Sequence, residues 1–271
     1  MKASSYGSKV CQDLNLALKK DWKEKNNLGI SASSSILGLN TSPEQGLFVL
    51  PARQGKPPWV LLAGLDETLF VGDEPHFIST RLHPHTVYPK GYEFLENFYY
   101  HPFPTWIFRI GGLTLVKMVL VIHNENTVLI RYQLLSSYGD FVKLQVKPIV
   151  AFRPAEHLVY ENKTPPLKMN VEKGVVELVT EKECPPVFIF HNAAVVERCD
   201  LWIKDILYTD TFPPKEYQKE DLYMPCSFLF PFLKQEGNYL CISTDSKLRM
   251  GPLLMDITEK NRRPRTPNKR K

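Results

Sequence analysis

The chain has 271 residues, of which 43% are hydrophobic and 23% charged, an ordinary composition for a soluble globular protein that can bury a large core. The net charge of +5 comes from the last twelve residues, 260–271, which hold seven cations and no acid, so that the remainder carries −2. Composition therefore excludes a strongly basic body, and the 22 prolines and 14 glycines favour many turns over long helices.

The five cysteines, at positions 11, 184, 199, 226 and 241, are widely spaced and form no CxxC pair. An odd, scattered set is typical of buried thiols in a reducing compartment. Asp13 interrupts the apolar spacing near the N-terminus, so a signal peptide is not indicated. No apolar run approaches the roughly 20 residues of a membrane helix. We therefore expect a cytoplasmic protein without a membrane segment.

The first third of the chain alternates between short strand candidates and turn residues. Residues 1–18 show weak helical spacing and are predicted to be a leader that precedes the domain. A proline-rich surface loop is predicted at 51–58, and a tight hairpin around Gly72-Asp73. The predicted strands are Gly46–Leu50, Trp59–Leu65, Glu67–Val71 and His76–Ser79.

The stretch from Thr86 to Val150 holds the clearest strand signals. Leu113–Val121 is apolar except for Lys117, which predicts a strand covered on both faces. Apolar and polar residues alternate over Val128–Leu134 and again over Val142–Val146, and a period of two buries one face of each strand. The connectors are too short for helical crossovers. We therefore predict an antiparallel meander of three strands at the centre.

The second half continues the same pattern less clearly. Residues 197–236 are rich in Pro, Tyr and Phe, and are predicted to be long connections with one helical turn near Lys215–Asp221. Further strands are predicted at Val175–Thr180, Val187–His191 and Tyr239–Ser243. Short strands separated by turns predict an all-β fold, a large antiparallel β-sandwich. The sandwich is predicted to span 19–255, followed by a basic, disordered tail at 256–271.

Histidines and paired acids are the first candidates for chemistry. His83 and His85 lie on one side of an extended segment, but no third ligand follows at a zinc-like spacing. Asp66-Glu67 and the pair Glu93 and Glu96 have the residue types that glycoside hydrolysis needs. Such pairs occur in most chains of this length, and neighbours in a strand point to opposite faces. We predict no metal, no cofactor and no catalytic residues.

Nine aromatic residues fall within positions 88–108. They are Tyr88, Tyr92, Phe94, Phe98, Tyr99, Tyr100, Phe103, Trp106 and Phe108. Large aromatic side chains commonly fill sandwich cores, whereas an exposed ring can lie against the apolar face of a sugar. A core position is favoured for each ring taken alone. Tyr88 and Tyr92, which flank Pro89-Lys90-Gly91 in a predicted loop, are the expected exposed exceptions.

Short motifs follow one another in a fixed order over residues 20–230. They are Trp22…Asn26-x-Leu28-Gly29, Ala32-Ser33, Gly38-x-Asn40-Thr41, Gly46-Leu47, Leu65-x-Glu67, Pro89-x-Gly91-Tyr92-x-x-Leu95-x-x-Phe98, Pro102-x-Pro104, Lys117, Asn126-Thr127, Arg131-Tyr132, His157…Asn162 and Glu220-Asp221-Leu222-Tyr223-x-Pro225. In this order they resemble the N-terminal domain of bacterial and archaeal glycogen debranching enzymes, the amylo-α-1,6-glucosidases.

The resemblance implies a supersandwich like the glucoamylase N-terminal domain and galactose-mutarotase-like proteins. In glucoamylase-like enzymes this sandwich precedes an (α/α)6 barrel, which carries the catalytic carboxylates for α-1,6-glucosidic hydrolysis. The sandwich packs against the barrel and helps to shape the glucan site. No part of this chain is long and helical enough to be the barrel.

The chain departs from the family pattern between Thr41 and Gly46. The family usually has a run close to Arg-Arg-Tyr-His there, whereas this chain has Ser42-Pro43-Glu44-Gln45. Cys226 also replaces a family glycine, and an Arg-Gly pair that usually precedes Glu220 is missing. The candidate residues for binding carbohydrate or docking a barrel are Tyr88, Lys90, Tyr92, Glu93 and Gln45.

Three functions remain open from the sequence. The leading hypothesis is a stand-alone, non-catalytic domain of α-glucan metabolism that binds glycogen-like glucan or docks in trans onto a barrel-bearing catalytic subunit. The second is a divergent or truncated amylo-α-1,6-glucosidase that hydrolyses glucan itself. The third is an interaction protein that has lost sugar binding, with nucleic acid contacted only through the basic tail.

Overall fold

The computed structural model describes residues 5–53, 55–136, 141–161, 167–180, 184–209, 219–232 and 237–263. In chain order the strands are β1 Ser5–Gly7, β2 Asp21–Lys25, β3 Ser31–Ser35, β4 Gly46–Leu50, β5 Trp59–Val71, β6 Glu74–Phe77, β7 Thr80–His83, β8 Thr86–Lys90, β9 Leu95–Tyr99, β10 Thr105–Ile110, β11 Leu113–Val121, β12 Thr127–Ser136, β13 Val142–Pro154, β14 Lys168–Glu172, β15 Val175–Val179, β16 Val187–His191, β17 Val195–Leu207, β18 Lys219–Pro231 and β19 Asn238–Ser243. The helices are α1 Ser8–Cys11, α2 Leu14–Ala17 and α3 Pro252–Arg262, with a 3-10 turn at Gly91–Phe94.

The strands in the described part of the chain form two large antiparallel sheets. The first has nine strands in the order β1-β9-β10-β11-β12-β19-β16-β15-β14. The second has eight, in the order β17-β18-β13-β5-β4-β3-β2 with β6 paired to β5. A separate ribbon pairs β7 with β8. The prediction of an all-β antiparallel sandwich is confirmed.

The main core lies between the two sheets, where alternate side chains of facing strands meet. Trp106 of β10 links them: its ring centroid lies 5.3 Å from that of Trp22 on β2, in an edge-to-face arrangement that suits the aromatic quadrupoles. Its indole N–H donates to the carbonyl of Ile36, at 2.7 Å, so the ring is buried without an unsatisfied donor. Phe98 and Phe108 are buried with it, as favoured for most of the aromatic cluster.

The prediction of a three-stranded central meander is wrong for its third strand, β13. β11 and β12 pair with each other as expected, with Leu120 opposite Leu129. β13, however, pairs with β5 and β18 in the eight-stranded sheet, so the chain crosses to the other layer after β12. Connector residues 137–140 lie outside the described residues. An alternating strand buries one face equally well in either sheet, which is why its pattern did not reveal the crossing.

The prediction of long connections over residues 197–236 is also wrong. Two 13-residue strands, β17 and β18, cover much of that range and pair with each other. The register of β17 shifts twice, and Asp200 and Asp205 at these shifts have φ of 45° and 54°. Such bulges insert extra residues and break the period of two that identifies a strand. Residues 210–218, with part of the predicted helical turn, lie outside the described residues.

Both ends of the described chain contact the sandwich. β1 pairs with β9, and Cys11 and Ala17 of the two short helices are fully buried. Helix α3 buries Met255 against Leu120 and Leu129 on the outer face of the nine-stranded sheet. The domain boundaries at residues 19 and 255 stay predictions, and 264–271 lie outside the described residues. Within the described segments, no helix has both the length and the apolar character required to cross a bilayer.

Candidate functional site

The predicted loop around Pro89 is a strand followed by one tight turn. β8 carries Tyr88 and Lys90, and the 3-10 turn that follows carries Tyr92 and Glu93. Tyr88 is 57% exposed, and Lys90 and Glu93 are also exposed. This short segment therefore presents an aromatic ring, a cation and a carboxylate to solvent.

Gly91 fixes this segment against the rest of the protein. Its N–H donates to the carbonyl of Ser79 at 2.9 Å, and a Cβ at this position would overlap the carbonyl group of Ile78. The next N–H, that of Tyr92, donates to the hydroxyl of Thr80 at 2.9 Å. Only glycine permits this close backbone approach, which anchors the segment to residues 78–80.

Tyr88 has an aromatic neighbour that the sequence did not single out. Phe77, at the end of β6, is 42% exposed, and its ring centroid lies 6.2 Å from that of Tyr88 at an interplanar angle of 53°. The sequence signal was an aromatic residue on a short, proline-containing strand, Glu74–Phe77, beside a glycine turn. Such strands lie at sheet edges, where side chains remain accessible.

Tyr92 does not join this exposed pair. Its side chain is half-buried and packs against the main core. The expectation of exposure is confirmed for Tyr88 and wrong for Tyr92, whose ring lies partly in the core. Glu93 also supports local structure, since its carbonyl accepts a hydrogen bond from the Gln12 side chain at 3.0 Å.

Gln45 closes its own turn. Its Oε1 accepts hydrogen bonds from the Thr41 N–H at 2.7 Å and from the Thr41 hydroxyl at 3.3 Å. Arg153 binds the same turn through the carbonyl of Pro43, at 3.0 Å. Beside it, Asn40 and Arg81 line a cavity of about 40 Å³, which is room for a few water molecules and not for a sugar ring.

Three of the four carboxylates considered as acid–base pairs, Asp66, Glu67 and Glu96, have cationic partners. Asp66 lies 2.6 Å from Arg81, and the half-buried Glu96 lies 3.1 Å from Arg109. Glu67 is buried and contacts the Lys117 ammonium at 2.8 Å. A catalytic acid or base must reach the substrate, whereas these contacts direct the three carboxylates to cations of the protein itself.

Two buried carboxylates, those of Glu67 and Glu220, form separate hydrogen-bond networks. Tyr132 donates to Glu67, and burial followed by the charge of Glu67 raises the pKa of Tyr132 well above its ordinary value. Glu220 accepts two hydrogen bonds from Arg153 at 2.7 and 2.8 Å, and a third from Tyr208. Burial, then the charge of Glu220, raises the pKa of Tyr208. Both tyrosines therefore stay neutral donors, which suits a structural role.

His83 and His85 have no third metal ligand beside them in the part of the chain that the structure describes. His83 Nδ1 lies 3.1 Å from the carbonyl of Lys204. Across the described ranges, no group of three or more His, Cys, Asp or Glu side chains could hold a metal ion.

Comparison with known proteins places these residues in a family context. A family model described as "Glycogen debranching enzyme N terminal" matches residues 20–239, most of the chain. No curated protein sequence matches the chain. The matched range includes Phe77, Tyr88 and both buried ion-pair networks.

Proposed function

Because the chain belongs to the family of glycogen debranching enzyme N-terminal domains, we propose that it is a non-catalytic domain that binds α-glucan. The Phe77–Tyr88 pair is the observation that carries this proposal, since it presents two neighbouring aromatic rings to solvent. A non-catalytic role is supported by the ion pairs that Asp66, Glu67 and Glu96 form within the protein.

The physical basis is the two-sided character of a sugar. Its C–H faces are apolar and gain from contact with an aromatic plane, while its hydroxyls need polar partners. The planes of Phe77 and Tyr88 differ by 53°, which suits a ligand whose rings change orientation along the chain. The exposed Lys90 and Glu93 lie close in sequence to Tyr88 and offer a donor and an acceptor for hydroxyl groups.

Affinity electrophoresis in gels with and without glycogen tests the proposal. The wild-type protein should be retarded by glycogen, and Tyr88→Ala and Phe77→Ala should each lose most of that retardation. Phe141→Ala is the matched control, because Phe141 is a similarly exposed ring (51%) outside this pair. Equal retardation of Tyr88→Ala and wild type, or no retardation of the wild type, would overturn the proposal.

A second candidate, docking in trans onto a glucoamylase-like (α/α)6 barrel, is favoured by helix α3. Leu253, Leu254 and Ile257 are 65%, 52% and 45% exposed, and their spacing places them on one stripe of the helix. Gel filtration with a separately expressed barrel should give a complex that Leu254→Glu abolishes. Leu135→Glu, at an exposed position (59%) on β12, is the control. Failure of the wild type to co-elute removes this candidate.

A further inference from the structure

Trp202 of β17 and Tyr223 of β18 form a second aromatic pair that solvent reaches. They lie directly opposite each other in the two strands, and their ring centroids are 5.0 Å apart at an interplanar angle of 42°. Both side chains are half-buried. In the described part of the chain β17 is the edge strand of the eight-stranded sheet, so the pair lies at the margin of that sheet.

A bulge in β17 places a carboxylate beside this pair. The register shifts between Arg198 and Leu201, and Asp200 within the bulge has φ of 45°, a left-handed conformation that is uncommon for residues other than glycine. Bulges re-aim side chains, and here Asp200 accepts from the Tyr223 hydroxyl at Oδ1 and from Arg198 Nε at Oδ2, at 3.0 Å. These two hydrogen bonds lower the pKa of Asp200, so its side chain is an ionised acceptor at neutral pH.

Asp200 and Arg198 keep hydrogen-bonding capacity beyond these contacts. A carboxylate has about four lone-pair sites and a guanidinium five N–H groups, and the hydrogen bonds just described use two of the former and one of the latter. The two side chains are 48% and 53% exposed. Both can therefore bind a ligand without giving up each other.

Lys204, two residues beyond Trp202, supplies a further donor. Its ammonium lies 5.9 Å from the centroid of a Trp202 ring and contacts Glu161 and Asp221, and its side chain is 49% exposed. Each cation of this surface thus lies beside a carboxylate, and an ionic ligand would gain little from net charge. A neutral ligand with many hydroxyl groups can use both the donors and the acceptors.

The two aromatic pairs lie on opposite faces of the eight-stranded sheet. Tyr223 packs against the main core between the sheets. Phe77 lies opposite Thr68 of β5, and Leu69, the next residue, belongs to that core. Because successive residues of a strand point to opposite faces, Thr68 and Phe77 face outward. A short oligosaccharide therefore reaches only one pair, whereas a branched polymer offers several chains.

We propose that the Trp202–Tyr223 pair is a second α-glucan-binding surface, which makes this domain a bivalent binder of branched glucan. A glucosyl unit lies against the two rings, and its hydroxyls bind Asp200, Arg198 and Lys204. The choice of α-glucan as the ligand rests on the proposed function, but the two surfaces share no residue. Two linked surfaces that each bind weakly hold a polymer tightly through effective concentration, so loss of either should remove most of the retardation by glycogen.

Titration calorimetry with maltotriose separates the two surfaces. The wild-type protein should bind two molecules per chain, and Tyr88→Ala and Trp202→Ala should each bind one. Arg198→Gln, at an exposed position that leaves the packing intact, should weaken one of the two sites about tenfold through loss of a charge-assisted hydrogen bond. Arg109→Gln is the matched control, because Arg109 is a similarly exposed cation (51%) that pairs with Glu96. It should keep both sites.

Binding of maltotriose that Trp202→Ala and Arg198→Gln both leave unchanged would overturn the second surface, and so would equal retardation of Trp202→Ala and wild type by glycogen. The surface at Tyr88 fails separately. One bound maltotriose that Trp202→Ala abolishes and Tyr88→Ala leaves unchanged would reject the Phe77–Tyr88 contact and keep this one. Neither calorimetric binding nor retardation of the wild type would reject both.

Discussion

Lys117 of β11 and Glu67 of β5 form an ion pair in the interior of the sandwich, with Nζ 2.8 Å from Oε1 and 2.9 Å from Oε2. Their side chains are only 6% and 5% exposed, and they come from different sheets. Tyr132 donates to the same carboxylate, and the ammonium lies 5.4 Å from the centroid of the Trp106 ring. The pair thus joins the two layers at a point surrounded by apolar side chains.

Lys117→Met should destabilise the protein strongly. The substitution leaves the Glu67 carboxylate buried without its cation, and breaking a buried pair in this way costs about 3–5 kcal/mol. Adding Glu67→Gln should recover part of the loss, because the neutral amide can still accept from Tyr132. Urea unfolding measures both changes. Arg109→Met, which breaks the exposed pair with Glu96, should cost less than about 1 kcal/mol. If Lys117→Met lowered the free energy of unfolding by as little, the Lys117–Glu67 pair would not be buried and shielded from solvent.

Arg153 should control the stability of the turn that departs from the family pattern. Its guanidinium binds Glu220 with two nitrogen atoms and also donates to Pro43. Arg153→Lys keeps the charge but cannot reproduce this fork, so we expect a loss of about 1–3 kcal/mol from unsatisfied buried groups. Hydrogen exchange should also become faster at the amides of Thr41, Ser42, Glu44 and Gln45, whereas Arg81→Lys should leave exchange at these amides unchanged. Unchanged exchange there would mean that the turn is held by Gln45 alone.

The sheets were predictable wherever apolar residues alternate or run continuously. β4, β11 and β16 have the predicted bounds, Gly46–Leu50, Leu113–Val121 and Val187–His191. Which sheet a strand joins was not predictable, as β13 shows, because a period of two specifies a buried face and not a partner. β17 was missed because its bulges at Asp200 and Asp205 disrupt that period.

The candidate site was predictable only in part. Sequence reasoning identified Tyr88 from its place beside Pro89 and Gly91, but not Phe77, because their pairing depends on how β6 and β8 approach each other in space. Several residues that carry the family resemblance, Glu67, Lys117 and Tyr132, meet in one buried network although 50 and 65 residues separate the first from the other two. Their presence among the motifs therefore has a structural explanation.

Gly91→Ala should disturb both the fold and the exposed aromatic pair. The added methyl group would overlap the Ile78 carbonyl and push β8 away from Ser79, at a cost of about 1–3 kcal/mol for overpacking. Gly112→Ala is a matched control, because a Cβ there meets nothing within 4 Å. Thermal unfolding compares the two variants. If the two variants unfold at the same temperature, the close approach at Ile78 does not constrain the segment that carries Tyr88.

His191 should make stability depend on pH below neutrality. Its ring is 8% exposed, lies 4.9 Å from the Phe228 ring centroid and accepts the Ala193 N–H at Nδ1, at 3.1 Å. Burial lowers the pKa of His191 below its ordinary value of 6.5. At pH values between the lowered pKa and 6.5, His191 is protonated in the unfolded chain and neutral in the folded protein.

The contribution of His191 to the free energy of unfolding is therefore fully present above pH 6.5 and is lost as the pH falls through its folded pKa, with a slope of at most about 1.4 kcal/mol per pH unit. Urea unfolding from pH 7.5 to 5 measures this slope. His191→Asn keeps an acceptor for Ala193 but does not titrate, so its curve should be flatter than that of the wild type. His85→Asn, at an exposed histidine, should follow the wild-type curve. Parallel curves for His191→Asn and wild type would show that the imidazole becomes protonated equally in both states, and would place it in contact with solvent.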